Sequence, residues 1–125
     1  MITLLYAGFC TLLVLLLAIR VAHWRFTHKI GLGDGGDKEL LAAIRAHANL
    51  IELAPLTLLL IWLMHGPRGH LVPDILAIVL VIARLLHAGG MLGYVPYGRP
   101  AGSIGTSVVL AWASVTLIVT GLAAL

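Results

Sequence analysis

The run ITLLYAGFCTLLVLLLAI, residues 2–19, contains no charged side chain. At a rise of about 1.5 Å per residue, a helix of this length reaches about 27 Å, close to the roughly 30 Å hydrocarbon core of a bilayer. No basic segment precedes the run, and Arg20, His23 and Arg25 follow it where a cleaved leader would have small residues. We therefore expect the run to be a retained membrane span.

The rest of the chain has the same character, because 61% of its 125 residues are hydrophobic and only 10% are charged. Only helices and closed barrels satisfy their backbone hydrogen bonds in lipid, and the apolar runs have helical length. The sequence therefore predicts an all-α membrane protein with one four-helix transmembrane domain over residues 1–125. The predicted spans cover about residues 2–22, 40–65, 73–95 and 103–125.

Positive charge is distributed unevenly between the predicted loops. The first and third loops contain five basic residues and the opposite side only Arg68; the five are Arg20, Arg25, Lys29, Lys38 and Arg99. The positive-inside rule places those two loops in the cytoplasm and both chain ends outside it. Because the net charge of +3 comes from span ends and not from a surface patch, we expect no nucleic-acid partner.

The fourth predicted span contains small residues at every fourth position, namely Ser103, Ser107 and Ala111. This spacing is typical of helices that pack closely in membranes. Such a stripe can seal the bundle internally or form a contact between subunits, and the sequence leaves both open.

The second span contains the unusual segment RAHANLIE, residues 45–52. Arg45, Asn49 and Glu52 follow an i, i+4, i+7 spacing and share one helix face. A charge that faces lipid costs at least about 2.5–3.5 kcal/mol, so this face must contact protein or a wet cavity. Arg84 and His87 repeat the pattern in the third span at i, i+3.

Counting residues from the predicted membrane boundaries places the two polar faces in the cytoplasmic half of the bilayer. Arg25 and Arg99, at the ends of neighbouring spans, can close over them. Three or four arginines then surround one glutamate, which predicts a small, mainly anionic guest with an amino group. The alternative is that Arg and Glu only neutralise each other and fix helix register, but the arginines outnumber the acid. No spacing predicts a metal site, a phosphate-binding loop or a hydrolytic triad.

RAHANLIE (residues 45–52) together with ARLLHAGGM (residues 83–91) resembles the MAPEG superfamily, the membrane-associated proteins in eicosanoid and glutathione metabolism. The resemblance covers nearly the whole chain, and the R-A-H-x-N-x-x-E block is its specific part. It implies a homotrimer of four-helix subunits that binds glutathione between neighbouring subunits, in a cavity open to the cytoplasm. It also indicates a small bacterial-type member, located in an inner membrane.

The resemblance assigns roles to individual residues of this chain. It implies that glutathione is held by Arg25, Arg45, Asn49, Glu52, Arg84 and His87, and that Arg99 stabilises the thiolate. Two positions depart from the family pattern. Ala48 stands where prostaglandin E synthase has another glutathione-contacting arginine, and Met91 stands where the family often has a tyrosine.

The leading hypothesis is therefore a glutathione-dependent transferase or peroxidase that acts on hydrophobic electrophiles or lipid hydroperoxides. Its expected partners are membrane lipid, a hydrophobic small-molecule substrate and further copies of the chain. A non-catalytic module that binds an anionic metabolite or lipid head group is the first alternative. A small multidrug transporter, suggested by four spans and an intramembrane glutamate, is the second.

Overall fold

The computed structural model describes residues 2–125, with side chains from Thr3 onward. These residues form five helices. They are α1 (Ile2–His28), α2 (Lys38–Leu63), α3 (His65–Arg68), α4 (Leu71–Met91) and α5 (Gly98–Leu122). The four long helices are long and apolar enough to cross a membrane, which confirms the predicted all-α membrane fold with four spans.

Helices α1 and α5 extend furthest beyond the predicted spans, at the end of the bundle that carries most of the positive charge. Helix α1 continues to His28, and α5 begins at Gly98 instead of near residue 103. Hydropathy marks only the part of a helix that lies in lipid, whereas its hydrogen bonds continue into water. Backbone reversals at Lys29 and Tyr97, with φ of 55° and 58°, set the actual ends. The connection between α2 and α4 contains the single turn α3.

Helix α2 begins with a side-chain cap in the glycine-rich first loop. The Asp37 carboxylate accepts hydrogen bonds from the backbone N–H groups of Glu39 and Leu40, at 2.8 and 2.9 Å. These two donors would otherwise lack a partner, because the first turn of a helix has no preceding carbonyls. The cap therefore fixes where the polar loop ends and the second span begins.

Replacing the cap, as in Asp37→Ala, should fray the first turn of α2. The hydrogen bond from Leu40, above all, lowers the pKa of the Asp37 carboxyl. A lowered pKa stabilises the folded state at neutral pH, and this contribution disappears only as pH falls below about 4, through the lowered pKa. Hydrogen exchange should show faster exchange of the Glu39 and Leu40 amides in Asp37→Ala. Asp37→Asn, which keeps an acceptor oxygen, should change them much less, and equal exchange in all three proteins would contradict the cap.

Helices α4 and α5 approach each other through glycines. A Cβ atom added at Gly90 would collide with the backbone nitrogen of Arg99, and one added at Gly102 would collide with the carbonyl oxygen of Ala83. Gly98 meets the Leu86 carbonyl in the same way. The two backbones are therefore in direct contact, which no larger residue permits.

The stripe Ser103, Ser107 and Ala111 lies on a different face of α5. Ser107 and Ala111 are exposed, and Ser103 is only half-buried. The internal contact of α5 continues instead along fully buried Thr106 and Val109. The sequence left two roles open for this stripe. Its exposure argues against packing inside the subunit, which leaves a contact with another subunit as its role.

The interior of the bundle is made of small and branched side chains in two clusters. One lies nearer the charged end and contains Leu17, Ala46, Leu50, Ala54 and Ala88. The other lies nearer the opposite end and contains Ile61, Ala77, Leu80 and Val109. Helix α1 contributes few buried side chains, so most of its surface is available to lipid or to another subunit.

Candidate functional site

Arg84 lies inside the subunit, where it joins three helices. Its side chain is 1% exposed, and one terminal nitrogen donates to Asn49 Oδ1 at 2.8 Å while the other donates to the Gly102 carbonyl at 3.2 Å. His87, one turn further along α4, is also buried. Of the polar residues predicted on the second span, Asn49 therefore meets the third span, through its hydrogen bond with Arg84.

Arg45 and Glu52 share a face of α2 with Asn49 but lie on its outer side, so only Asn49 reaches the interior of the subunit. Both side chains are exposed on the outer surface of α2, and exposed Leu41, Ile51 and Leu56 lie along the same helix. Arg45 lies roughly 10 Å and Glu52 roughly 21 Å from Lys38 along the helix, which is membrane depth. In the part of the chain described, the one ion pair joins His65 and Asp74 at the other end of the bundle. Arg45 and Glu52 thus form a charged outer surface that the subunit itself does not neutralise.

Arg25 and Arg99 lie at the end of the bundle where α2 begins. Arg25 is half-buried in the last turns of α1, and it donates to the Gly31 carbonyl at 3.3 Å. Arg99 is exposed in the first turn of α5. Its backbone nitrogen packs against Gly90, so the glycine contact fixes the point from which this side chain extends.

Ala48 and Met91 mark where the site departs from the family pattern. Ala48 is half-buried, one residue before Asn49. Met91 packs against the buried cluster that contains Leu17 and Ala88. The Met91 side chain therefore serves the apolar core, and neither position presents a charge or a hydroxyl.

The predicted site residues therefore separate into two groups. Arg84, Asn49 and His87 form a buried polar group within the subunit, with Asn49 at its edge. The second group consists of cations and one carboxylate on the outside of the subunit, namely Arg45, Glu52, Arg99 and, in part, Arg25. The assignment of either group to glutathione stays a prediction. Among the residues described, no cluster of His, Cys, Asp and Glu could hold a metal ion.

Arg20 has contacts that the sequence does not predict, since its position indicates only the orientation of the first span. The Arg20 guanidinium lies over the rings of Trp24 and Tyr94, 5.9 and 5.7 Å from their centroids. The i, i+4 spacing of Arg20 and Trp24 could have indicated the first contact. Tyr94 comes from a distant part of the chain, and no sequence pattern pairs it with Arg20.

Four membrane-length helices, with charged residues at membrane depth, define a multi-pass integral membrane protein. The sequence pattern described as the MAPEG family matches residues 3–119. The chain is also 36% identical over 92 residues to the inner membrane protein YecN of Escherichia coli K12, covering 72% of this chain and 70% of that relative. The same values hold for YecN of Escherichia coli O6:H1, strain CFT073. The chain belongs to the MAPEG family, as its residues 45–52 and 83–91 predicted.

Proposed function

We propose that the protein is a glutathione-dependent transferase or peroxidase, and that glutathione binds between subunits of a homotrimer. The observation that carries this proposal is the exposure of Arg45 and Glu52 at membrane depth, without an ion-pair partner among the residues that the structure describes. Leaving such charges against lipid costs at least about 2.5–3.5 kcal/mol each. A neighbouring subunit that covers this surface, together with a charged ligand, removes that cost.

The charges on this surface match the ends of glutathione, which has two carboxylates and one ammonium group. Arg45 and Arg25 would bind carboxylates through paired N–H donors, and Glu52 would accept hydrogen bonds from the ammonium group. Asn49 adds a donor, because its oxygen already accepts from Arg84 and its NH₂ group then points elsewhere. Arg84 would act as a positioning residue that orients the Asn49 amide, and His87 would support it from the next turn.

Arg99 would stabilise the reactive form of the ligand. Bound glutathione would supply a nucleophilic sulfur, and an adjacent guanidinium favours its thiolate over its thiol. Each 1.4 kcal/mol of preference for the thiolate lowers the thiol pKa by about one unit. The exposed position of Arg99 at the charged end of the bundle is compatible with this role. The lipid-facing surface of the helices would admit hydrophobic substrates.

The homotrimer and the orientation are part of the same proposal. The stripe of Ser103, Ser107 and Ala111 lies on the outer surface of α5, where it would allow close contact with a neighbouring subunit. We place the end of the bundle that carries Arg25, Lys38 and Arg99 in the cytoplasm, with both termini on the other side. Glutathione would then enter from the cytoplasm.

Ultraviolet absorbance of the thiolate, measured as glutathione is added to the detergent-purified protein, tests this proposal. We expect saturable thiolate formation and conjugation of a generic electrophile. Glu52→Gln and Arg45→Gln should each weaken glutathione binding at least tenfold, because a charged ligand group loses its partner. Arg99→Gln should reduce the thiolate signal much more than the affinity.

Arg68→Gln is the matched control, because Arg68 is an exposed arginine at the opposite end of the bundle. It should bind and react like the unmodified protein. Absence of a thiolate signal at millimolar glutathione, together with absence of conjugation, would reject the proposal.

A non-catalytic binding module is the second candidate, and Ala48 and Met91 favour it. Ala48 lacks the arginine that prostaglandin E synthase has there, Met91 lacks the tyrosine that the family often has, and Met91 packs against the apolar core. This candidate predicts that S-methylglutathione, which has no thiol, protects the protein against thermal unfolding as well as glutathione does. The enzyme predicts weaker protection, because the contact between Arg99 and a thiolate is lost. Family membership favours both candidates over a multidrug transporter.

A further inference from the structure

A cavity of about 450 Å³ opens at the end of the bundle where α1 and α4 end and α2 begins. Its walls include Arg20 of α1, Lys38 and Glu39 of α2, and Met91 and Tyr94 around the end of α4. The basic residues of this cavity, Arg20 and Lys38, are not among those that the proposed glutathione site uses. The cavity therefore needs an explanation of its own.

Arg20 is held in place but has no anionic partner. The rings of Trp24 and Tyr94 lie on its guanidinium, an arrangement that fixes its orientation by cation–π attraction. The Arg20 Nε atom is buried and makes no hydrogen bond in the part of the chain described. A fixed guanidinium with unused donors is suited to a phosphate group, which accepts two parallel N–H bonds.

The charge of the cavity favours an anion. Arg20 and Lys38 contribute two positive charges and Glu39 one negative charge. Asp37 already occupies the amide groups of Glu39 and Leu40. These two amide groups are therefore not available to a ligand. The anion-binding groups of the cavity are the side chains of Arg20 and Lys38.

A second, apolar groove follows the same seam between α1 and α4 deeper in the membrane. It has a volume of about 130 Å³ and mostly apolar walls, with the nearly fully buried Arg84 as a charged residue among them. The walls are formed by Phe9, Cys10, Leu12, Leu13 and Leu16 of α1 and by Val81, Arg84 and Leu85 of α4. Leu16 and Leu13 lie four and seven residues before Arg20 and so share its face of α1. The polar cavity and the groove therefore both border α1 and α4 at successive depths, with the buried pair Leu17 and Ala88 packed between those levels.

We infer that this seam binds an anionic phospholipid, with its phosphate at Arg20 and Lys38 and an acyl chain along the exposed Leu12, Leu16 and Leu85 that border the groove. Arg20 directly follows the uncharged residues 2–19, which places it at the depth of lipid phosphates. Basic pockets between membrane helices on the cytoplasmic side are suited to such head groups. The inference goes beyond the proposed function and does not depend on glutathione binding.

Native mass spectrometry tests the inference. The purified protein in neutral detergent is mixed with phosphatidylglycerol or phosphatidylcholine, and the lipid that stays bound after the detergent is removed in the gas phase is measured. We expect retained phosphatidylglycerol and at least fivefold less retained phosphatidylcholine. Arg20→Gln and Lys38→Gln should each lower phosphatidylglycerol retention at least fivefold. Lys29→Gln is the matched control, because it removes an exposed cation from the same end of the bundle but outside the cavity, and it should change retention little.

Equal retention of the two lipids, or equal losses in Arg20→Gln and Lys29→Gln, would overturn the inference. Displacement of the lipid by inorganic phosphate at millimolar concentration, without displacement by glycerophosphoglycerol, would also overturn it, since the cavity would then be a site for small anions and not for a phospholipid head group. Displacement by glutathione would instead make the cavity part of the glutathione site. If Arg20→Gln does not fold, Lys38→Gln decides, because the Lys38 side chain is exposed and dispensable for packing.

Discussion

Gly102→Ala should abolish accumulation of the folded protein. The added methyl group would collide with the Ala83 carbonyl and with the backbone of His87, neither of which can rotate away. Relief requires α5 to move away from α4, which would stretch the hydrogen bond from Arg84 to the Gly102 carbonyl. Overpacking alone costs about 1–3 kcal/mol, and loss of a charged hydrogen bond adds about 1.5–3 kcal/mol. Size-exclusion profiles and thermal unfolding in detergent measure the effect.

Gly121→Ala and Gly8→Ala are the matched controls. Both glycines are helical, and an added Cβ would meet no atom within 4 Å at either position. These variants should accumulate and unfold like the unmodified protein, or slightly better, because alanine favours the helix over glycine. A Gly102→Ala protein as stable as these controls would show that the backbones of α4 and α5 are not in contact.

Asn49→Leu should destabilise the protein strongly through Arg84. The Arg84 guanidinium would stay buried with one acceptor fewer, and hydrogen bonds to charged groups contribute about 1.5–3 kcal/mol. Arg84→Leu removes the charge and leaves the Asn49 oxygen without its donor. The double variant removes both partners and should be more stable than the sum of the single losses predicts.

Denaturant unfolding of the unmodified protein, the two single variants and the double variant gives the coupling energy between Arg84 and Asn49. Arg68→Leu is the control for loss of an arginine, and its stability should stay within about 0.5 kcal/mol of the unmodified protein, because Arg68 is exposed. Additive losses in the double variant would mean that Arg84 and Asn49 do not interact as the structure places them.

The fold was largely predictable because each long helix carries its own signal in hydropathy. The contact between α4 and α5 was not, since α5 has two rows of small residues on different faces. Both rows have the same spacing of four residues, but Gly98 and Gly102 make the internal contact, whereas Ser103, Ser107 and Ala111 do not. Only the rotation of the helix distinguishes these rows, and that rotation depends on all of its neighbours together.

The candidate site was predictable as a set of residues but not as an arrangement. Arg45 and Arg84 are both arginines within apolar spans, and spacing gives no sign that one faces outward while the other is 1% exposed. Arg84 faces inward, where Asn49 of α2 and the Gly102 carbonyl of α5 accept hydrogen bonds from its guanidinium. Arg20 was missed as a ligand-binding candidate for a related reason, since its cavity forms between residues far apart in the chain.

The glycine contact between α4 and α5 also makes one part of the subunit more rigid than the rest. Because their backbones are in contact, α4 and α5 should move together as one rigid unit. Helix α1 is attached mainly through side chains, and few of its side chains are buried. Thermal motion in the membrane should therefore be largest at α1, and its seams with the other helices should open before any other. A bulky molecule that enters from the lipid would displace α1. Helices α4 and α5 would stay in place, and with them Arg84 and the backbone of Arg99.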